Sequence, residues 1–129
     1  MKSRELLLLA EMIDAADQAQ ALVAGWDVEA IGGDRQRHDA LLWNFTVLGE
    51  AAAQLPQAFR AAHPDVDWAR PVALRNRIVH GYWGVDLGIL RATAIKDLPG
   101  FASQLRYVLD QLRPVAEPST AAEEEPDRR

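Results

Sequence analysis

Apolar residues return at intervals of three and four along most of this chain, a spacing that predicts helices rather than strands. Leu6, Leu9, Ile13, Ala16 and Ala19 form one such series behind Ser3, so a first helix capped by Ser3 is predicted to run to about Val23 and to end at Gly25. A linking segment with Trp26, Asp27 and Gly32-Gly33 leads to Asp34, the expected cap of a second helix through about Leu55. Its inner stripe is Leu41, Leu42, Phe45, Leu48, Ala52 and Leu55. Pro56 restarts the chain as a short helical turn around Phe59, and His63-Pro64 closes it, because a residue before proline avoids the helical region.

A further helix is expected from about Asp67, with Pro71 in its first turn and Gly81 stopping it just beyond His80. Asp86 is placed to cap a helix over Leu87 to about Leu98, with Leu87, Leu90 and Ala94 facing inward. Pro99-Gly100 should kink or interrupt it before a last segment from Phe101 to Leu112. No period-two alternation or internal repeat competes with this pattern. The expectation is an all-α bundle of four or five helices occupying residues 1–114, followed by a disordered acidic tail over 115–129 that has nothing large and apolar to bury.

With 129 residues there is room for one domain and one core. The apolar run at Leu6 to Ala10 is interrupted by Glu11 and Asp14, and no stretch is long enough to span a bilayer, so a cytoplasmic location without membrane insertion is expected. Cysteine is absent, which removes a disulfide framework. His38, His63 and His80 lie on different predicted elements without metal-ligand spacing, and no metal site is expected; His38 reads as a helix-surface residue and His63 as a loop residue. No phosphate-binding loop for ATP and no helix-turn-helix pattern is present.

The net charge of -5 argues against a nucleic-acid partner until its distribution is considered. From Glu117 to Arg129 five acids meet two arginines, which leaves -2 for the rest. Across residues 67–91, Arg70, Arg75, Arg77 and Arg91 outnumber Asp67 and Asp86, so a locally positive field is expected.

That region holds the chemistry. Arg75-Asn76-Arg77-Ile78-Val79-His80-Gly81-Tyr82 gathers a fixed cation, an amide, a titratable ring and a phenol at one helix end. A guanidinium matches phosphate oxygens, and an imidazole gives or takes a proton near neutral pH. Residues five apart lie about 140° around a helix, so Arg75 and His80 are not simple face-mates. They are expected to converge through the frayed last turn, where Gly81 would bring Tyr82 back toward the axis. Attack of a ribose 2′-hydroxyl on its phosphate needs an acid, a base and charge stabilisation, and two facing copies would supply them: His80 for proton transfer and Arg75 for the electrostatic part. Asn76 is suited to orienting His80 or a phosphate, Tyr82 to stacking or hydrogen bonding, and Arg77 is expected to point toward RNA backbone or solvent.

The spacing R-x-x-x-x-H-x-Y resembles the signature of HepT-type HEPN toxins. The resemblance extends to Asp39-Ala40-Leu41-Leu42, Asn44 and Gly49-Glu50-Ala51-Ala52, to His63-Pro64 with Trp68, and to Gly81 through Leu87, covering about Glu5 to Leu112. Trp43 departs from it, standing where the family commonly has an arginine. The resemblance implies a homodimeric, metal-independent ribonuclease toxin with Arg75, Asn76 and His80 at its catalytic positions. It further implies an MntA-type minimal nucleotidyltransferase antitoxin that transfers AMP from ATP to Tyr82, with ATP used by that partner and no cofactor in this chain. Glu50 and Arg77 are supporting candidates; Glu50 is expected to be a solvated or helix-paired carboxylate, or else to pair with an arginine near the groove or with MntA. The alternative is a dimeric adaptor that binds a nucleotidyltransferase and is modified by it without cutting RNA.

Overall fold

The structure, a computed structural model, describes residues 2–113; the acidic segment expected to be a disordered tail lies outside them. Helix α1 spans Lys2–Val23, α2 Val28–Gly32, α3 Arg35–Gln54, α4 Gln57–Ala62 and α5 Ala69–His80. A single 3₁₀ turn, Tyr82–Gly84, leads to α6 (Leu87–Ala92), a π turn (Thr93–Asp97) and α7 (Leu98–Leu112). Among the described residues there is no strand, and the molecule is an all-α bundle. Four long segments build it: α1, α3, α5 and the run 87–112. The short helices α2 and α4 sit in the links.

Helix α1 packs along α3 on one side and α7 on the other, and α3 carries α5 on its far side. Leu9, Met12, Ala16, Ala19 and Val23 of α1 and Leu41, Leu42, Phe45, Leu48 and Ala52 of α3 are all buried in the core. The expected α3 stripe is buried in full, Leu55 included. On α1 the buried stripe is rotated from the expected one: Leu8, Met12 and Ala15 are inside, whereas Leu6 and Ile13 are only partly covered. Alanines at 15, 16 and 19 are small enough to bring neighbouring helices close, and this pulls the α1 contact toward them.

The caps explain the boundaries. The Asp34 carboxylate accepts the Arg37 N–H at 3.0 Å, and that of Asp86 accepts the N–H groups of Gly88 and Ile89 at 2.8 and 3.3 Å. Gly25, at φ 78°, ends α1 in the left-handed region that favours glycine. Ser3 is not a cap, because α1 already includes Lys2. The link after Gly25 is not irregular throughout: the Asp27 carboxylate accepts the Ala30 N–H at 2.8 Å and starts α2.

Pro99 lies within the first turn of α7, not at a break. The irregularity comes just before it, where the Leu98 N–H reaches back five residues to the Thr93 carbonyl. Proline has no N–H to donate and its ring crowds the carbonyl four residues earlier, so the chain widens ahead of it and keeps its direction.

Candidate functional site

Helix α5 is held at its start by its own approach segment. The Trp68 indole is buried and donates to the His63 carbonyl at 2.9 Å, while Phe59 packs edge-on against it with ring centres 5.9 Å apart. Asp67 accepts the Arg70 N–H at 3.2 Å, and Pro71 fits the first turn. Pro71, Leu74 and Ile78 are buried at spacings of three and four, which leaves Asn76, Arg77, Val79 and His80 exposed.

Gly49 sets how closely α5 approaches α3. A Cβ at this position would lie 2.3 Å from Arg75 Cβ and 2.4 Å from the Pro71 carbonyl oxygen, so the backbones meet where only glycine fits. One position on, Glu50 of α3 forms an ion pair with Arg75. Arg75 is mostly covered, and its Nε is buried without a partner. Glu50 thus pairs with an arginine near the groove while its side chain stays half exposed to solvent.

Asn76 and His80 are four residues apart on α5 and so share one side, both exposed. His80 lines an open pocket of about 380 Å³ with Arg77, Ile78, Val85, Asp86 and Leu90. Arg77 is exposed, as expected, and lines the same open pocket as the histidine. Arg75 and His80 do not converge within one protomer: the guanidinium leans onto α3 and the imidazole faces α6. Gly81 ends α5, its N–H donating to the Arg77 carbonyl at 3.0 Å, but its φ of −151° is open to any residue.

Tyr82 does not fold back toward the α5 axis. The turn carries it across to α3, where its hydroxyl donates to Asp39 Oδ1 at 2.7 Å. His38 Nδ1 lies 2.9 Å from the same oxygen, and Arg35 Nε donates to Oδ2 at 2.9 Å. The His38 and Tyr82 rings meet edge-on at 5.9 Å, and the Arg35 guanidinium stands 5.5 Å from the centre of the exposed Trp83 ring. His38 is thus no plain surface residue: its side chain is 17% exposed and bonded into this network. The bonds from Tyr82, His38 and Arg35, in that order of importance, hold the Asp39 carboxyl well below the usual aspartate range. The same bond, with partial burial and the negative charge of Asp39, pushes the Tyr82 phenol up.

The positive field expected here is partly cancelled by pairing. Arg70 meets Asp97 at 3.1 Å and Arg75 meets Glu50, whereas Arg91 keeps its charge, donating to the neutral Trp26 carbonyl at 2.6 Å. Of these arginines, Arg77 alone has no side-chain hydrogen bond or ion pair among the described residues. Among those residues no three His, Cys, Asp or Glu side chains group as a metal-ligand set, and no helix is long and apolar enough to cross a membrane.

An α-helical bundle that displays Arg75, Asn76 and His80 at the end of one helix, with Tyr82 in the turn beyond, is a HEPN-type architecture. Residues 12–108 match the family model described as Ribonuclease HepT-like, and the chain belongs to that family. It is 30% identical over 66 residues to Probable ribonuclease HepT of Thermococcus cleftensis, covering 51% of this chain and 60% of that protein. It is 31% identical over 72 residues to a candidate RNase of Caldanaerobacter subterraneus subsp. tengcongensis, covering 56% and 64%. A candidate RNase of Methanocaldococcus jannaschii is 24% identical over 100 residues, covering 78% and 92%. This chain thus spans less than two thirds of the length of the first two of these relatives. No solved structure matches it.

Proposed function

We propose that this chain is the toxin of a two-component toxin–antitoxin system, a cytoplasmic, metal-independent endoribonuclease that works as a homodimer. The observation that carries the reading is the pairing of family membership with an exposed, unengaged Asn76, Arg77 and His80 on one helix end. Two copies with their α5 helices opposed place Arg75 of each near His80 of the other. One imidazole then removes the 2′-hydroxyl proton, the second protonates the leaving 5′-oxygen, and the guanidinium groups stabilise the charged phosphorane. Exposed Val79, Trp83 and Trp43 around the site, 59%, 77% and 65% accessible, support burial against a second copy.

The antitoxin in this reading is a minimal nucleotidyltransferase of the MntA type that moves AMP from ATP to the Tyr82 hydroxyl. The added phosphate and nucleoside put negative charge and bulk at the end of α5 that carries His80, and repel an incoming RNA backbone. ATP belongs to that partner, and this chain needs no cofactor of its own.

The test is cleavage of transfer RNA and other cellular RNA by the purified chain in the presence of EDTA, with sedimentation to read the assembly. Cleavage that persists in EDTA and is lost in His80→Ala supports the reading; intact RNA under all conditions overturns the nuclease. Co-expression with the nucleotidyltransferase should add the mass of AMP at Tyr82. The Arg75–Glu50 ion pair favours one second reading, because a neutralised guanidinium is a weaker phosphate ligand: a dimeric adaptor that is modified without cutting.

A further inference from the structure

The phenol that this reading makes the acceptor of AMP is bonded to a carboxylate of its own chain. Tyr82 Oη donates to Asp39 Oδ1 at 2.7 Å, and two further partners hold that carboxylate: His38 Nδ1 at 2.9 Å from the same Oδ1 and Arg35 Nε at 2.9 Å from Oδ2. A structural tyrosine needs only an acceptor of any kind, and a backbone carbonyl serves. A carboxylate can also take the proton.

We infer that Asp39 is the general base for nucleotidyl transfer to Tyr82, so that the modified protein, rather than the modifying enzyme, supplies the proton acceptor. This rests on the proposed modification of Tyr82. A neutral phenol is a weak nucleophile, and with an ordinary pKa of about 10 only about one in a thousand is ionised near pH 7. The bond to Asp39 lowers that fraction further. Free phenolate is therefore scarce, and the proton must leave as the new bond forms.

The step balances without any further reactant than a nucleoside triphosphate. Tyr82 Oη attacks the α-phosphorus and forms the O–P bond. The bond from that phosphorus to the oxygen bridging it to the β-phosphate breaks, and pyrophosphate leaves with the electron pair. The phenol proton passes to Asp39 Oδ1 and then to water. Arg35 makes the arrangement compatible with a polyanion. Its side chain is 73% exposed, so it offsets the charge of Asp39 and presents a cation where the triphosphate arrives. With Asp39 ionised, His38 Nδ1 is the donor of its pair, and the ring holds the carboxylate turned toward the phenol.

The experiment uses the full chain, its nucleotidyltransferase partner and ATP labelled at the α-phosphate, with the transfer rate to Tyr82 measured from about pH 6 to about pH 9. Asp39→Asn keeps the shape and loses the base. Its transfer rate at neutral pH is expected to fall at least about a hundredfold with docking affinity unchanged, and the deficit to shrink about tenfold per pH unit as phenolate forms unaided. Asp39→Glu should recover much of the rate and the flat ratio to wild type. Taking the ratio of variant to wild type at each pH cancels the partner's own titrations. A purely structural Asp39 would lower the rate by one factor at every pH, and that result, or an unimpaired Asn variant, overturns the inference while the modification stands. Absence of label on the wild-type chain overturns the modification itself and this step with it. Should the Asn variant fail to fold, 3,5-difluorotyrosine at position 82 of the otherwise unchanged chain decides. An unshifted profile supports the built-in base, and a profile displaced to lower pH shows that free phenolate reacts and refutes it.

Discussion

Gly49 of α3 and Arg75 of α5 meet so closely that a Cβ on the glycine would stand 2.3 Å from Cβ of the arginine. The crossing of these helices is thereby fixed at the motif, and the Glu50–Arg75 pair is one residue away. Gly49→Ala is expected to cost roughly 2 to 3 kcal/mol or to prevent folding, because the obstacle includes the Pro71 carbonyl, and backbone cannot swing aside as a flexible side chain can. Urea denaturation measures it. Gly100→Ala is the control: nothing lies within 4 Å of its Cβ position, and the loss of chain entropy in the unfolded state should stabilise by about 0.5 to 1 kcal/mol. Equal behaviour of the two variants would refute the close-contact account.

His80 is exposed, so its removal should touch chemistry and leave folding alone. His80→Ala is expected to reduce RNA cleavage by about a hundredfold to ten-thousandfold, the usual worth of a general acid or base, with stability within about 0.5 kcal/mol of wild type. Cleavage assays beside thermal melts read both. A variant that folds and still cuts RNA at the parental rate would remove His80 from the mechanism.

Much of this was readable in the sequence wherever the cause is local. The α3 stripe from Leu41 to Leu55 repeats over several turns, and Asp34 and Asp86 cap the helices that follow them, so these elements can be read off directly. The α2 helix has five residues, too few to show a period, and only Asp27 followed by Val28-Glu29-Ala30 hints at it. Pro99 is visible, but its effect falls on the turn before it. The partners in the site are the least legible part. Glu50 and Arg75 are 25 positions apart, and Asp39 and Tyr82 are 43 apart. Periodicity says which face a residue occupies and nothing about which helix lies opposite. Without knowing that Tyr82 crosses to α3, His38 reads as a plain surface residue.

The bond between Asp39 and Tyr82 has a defined pH window. The Asp39 carboxyl is lowered in the folded state, so its contribution to stability is present above the ordinary aspartate value of about 4 and is lost as pH falls below it. The Tyr82 phenol is raised, so its contribution is present below the ordinary tyrosine value of about 10 and is lost as pH climbs through the higher folded value. Tyr82→Phe should therefore melt below wild type by a nearly constant interval from about pH 5 to about pH 9, with the gap closing on both sides. Thermal unfolding of the two proteins across pH provides the comparison, and a gap that persists unchanged at acidic pH would show that Asp39 is not the partner that matters.

Glu50 restrains Arg75 in two opposing ways, and Glu50→Gln separates them. The pair is partly solvated, with side chains 48% and 20% exposed, so its loss should change stability by no more than about 1 kcal/mol. Removing a negative charge beside the guanidinium leaves more of its field for phosphate, and RNA should bind about three- to tenfold more tightly at low salt, the advantage fading as salt screens it. The same change releases the orientation of Arg75, because an amide holds the fork less firmly than a carboxylate. Cleavage at saturating RNA should then fall by a similar factor, so that KM and kcat drop together while kcat/KM stays nearly level. Fluorescence titration of a labelled oligoribonucleotide and single-turnover cleavage distinguish the two effects. Weaker binding by the Gln variant would mean that Glu50 aids RNA contact directly, and the carboxylate would then have to be reassigned from restraining Arg75 to engaging substrate.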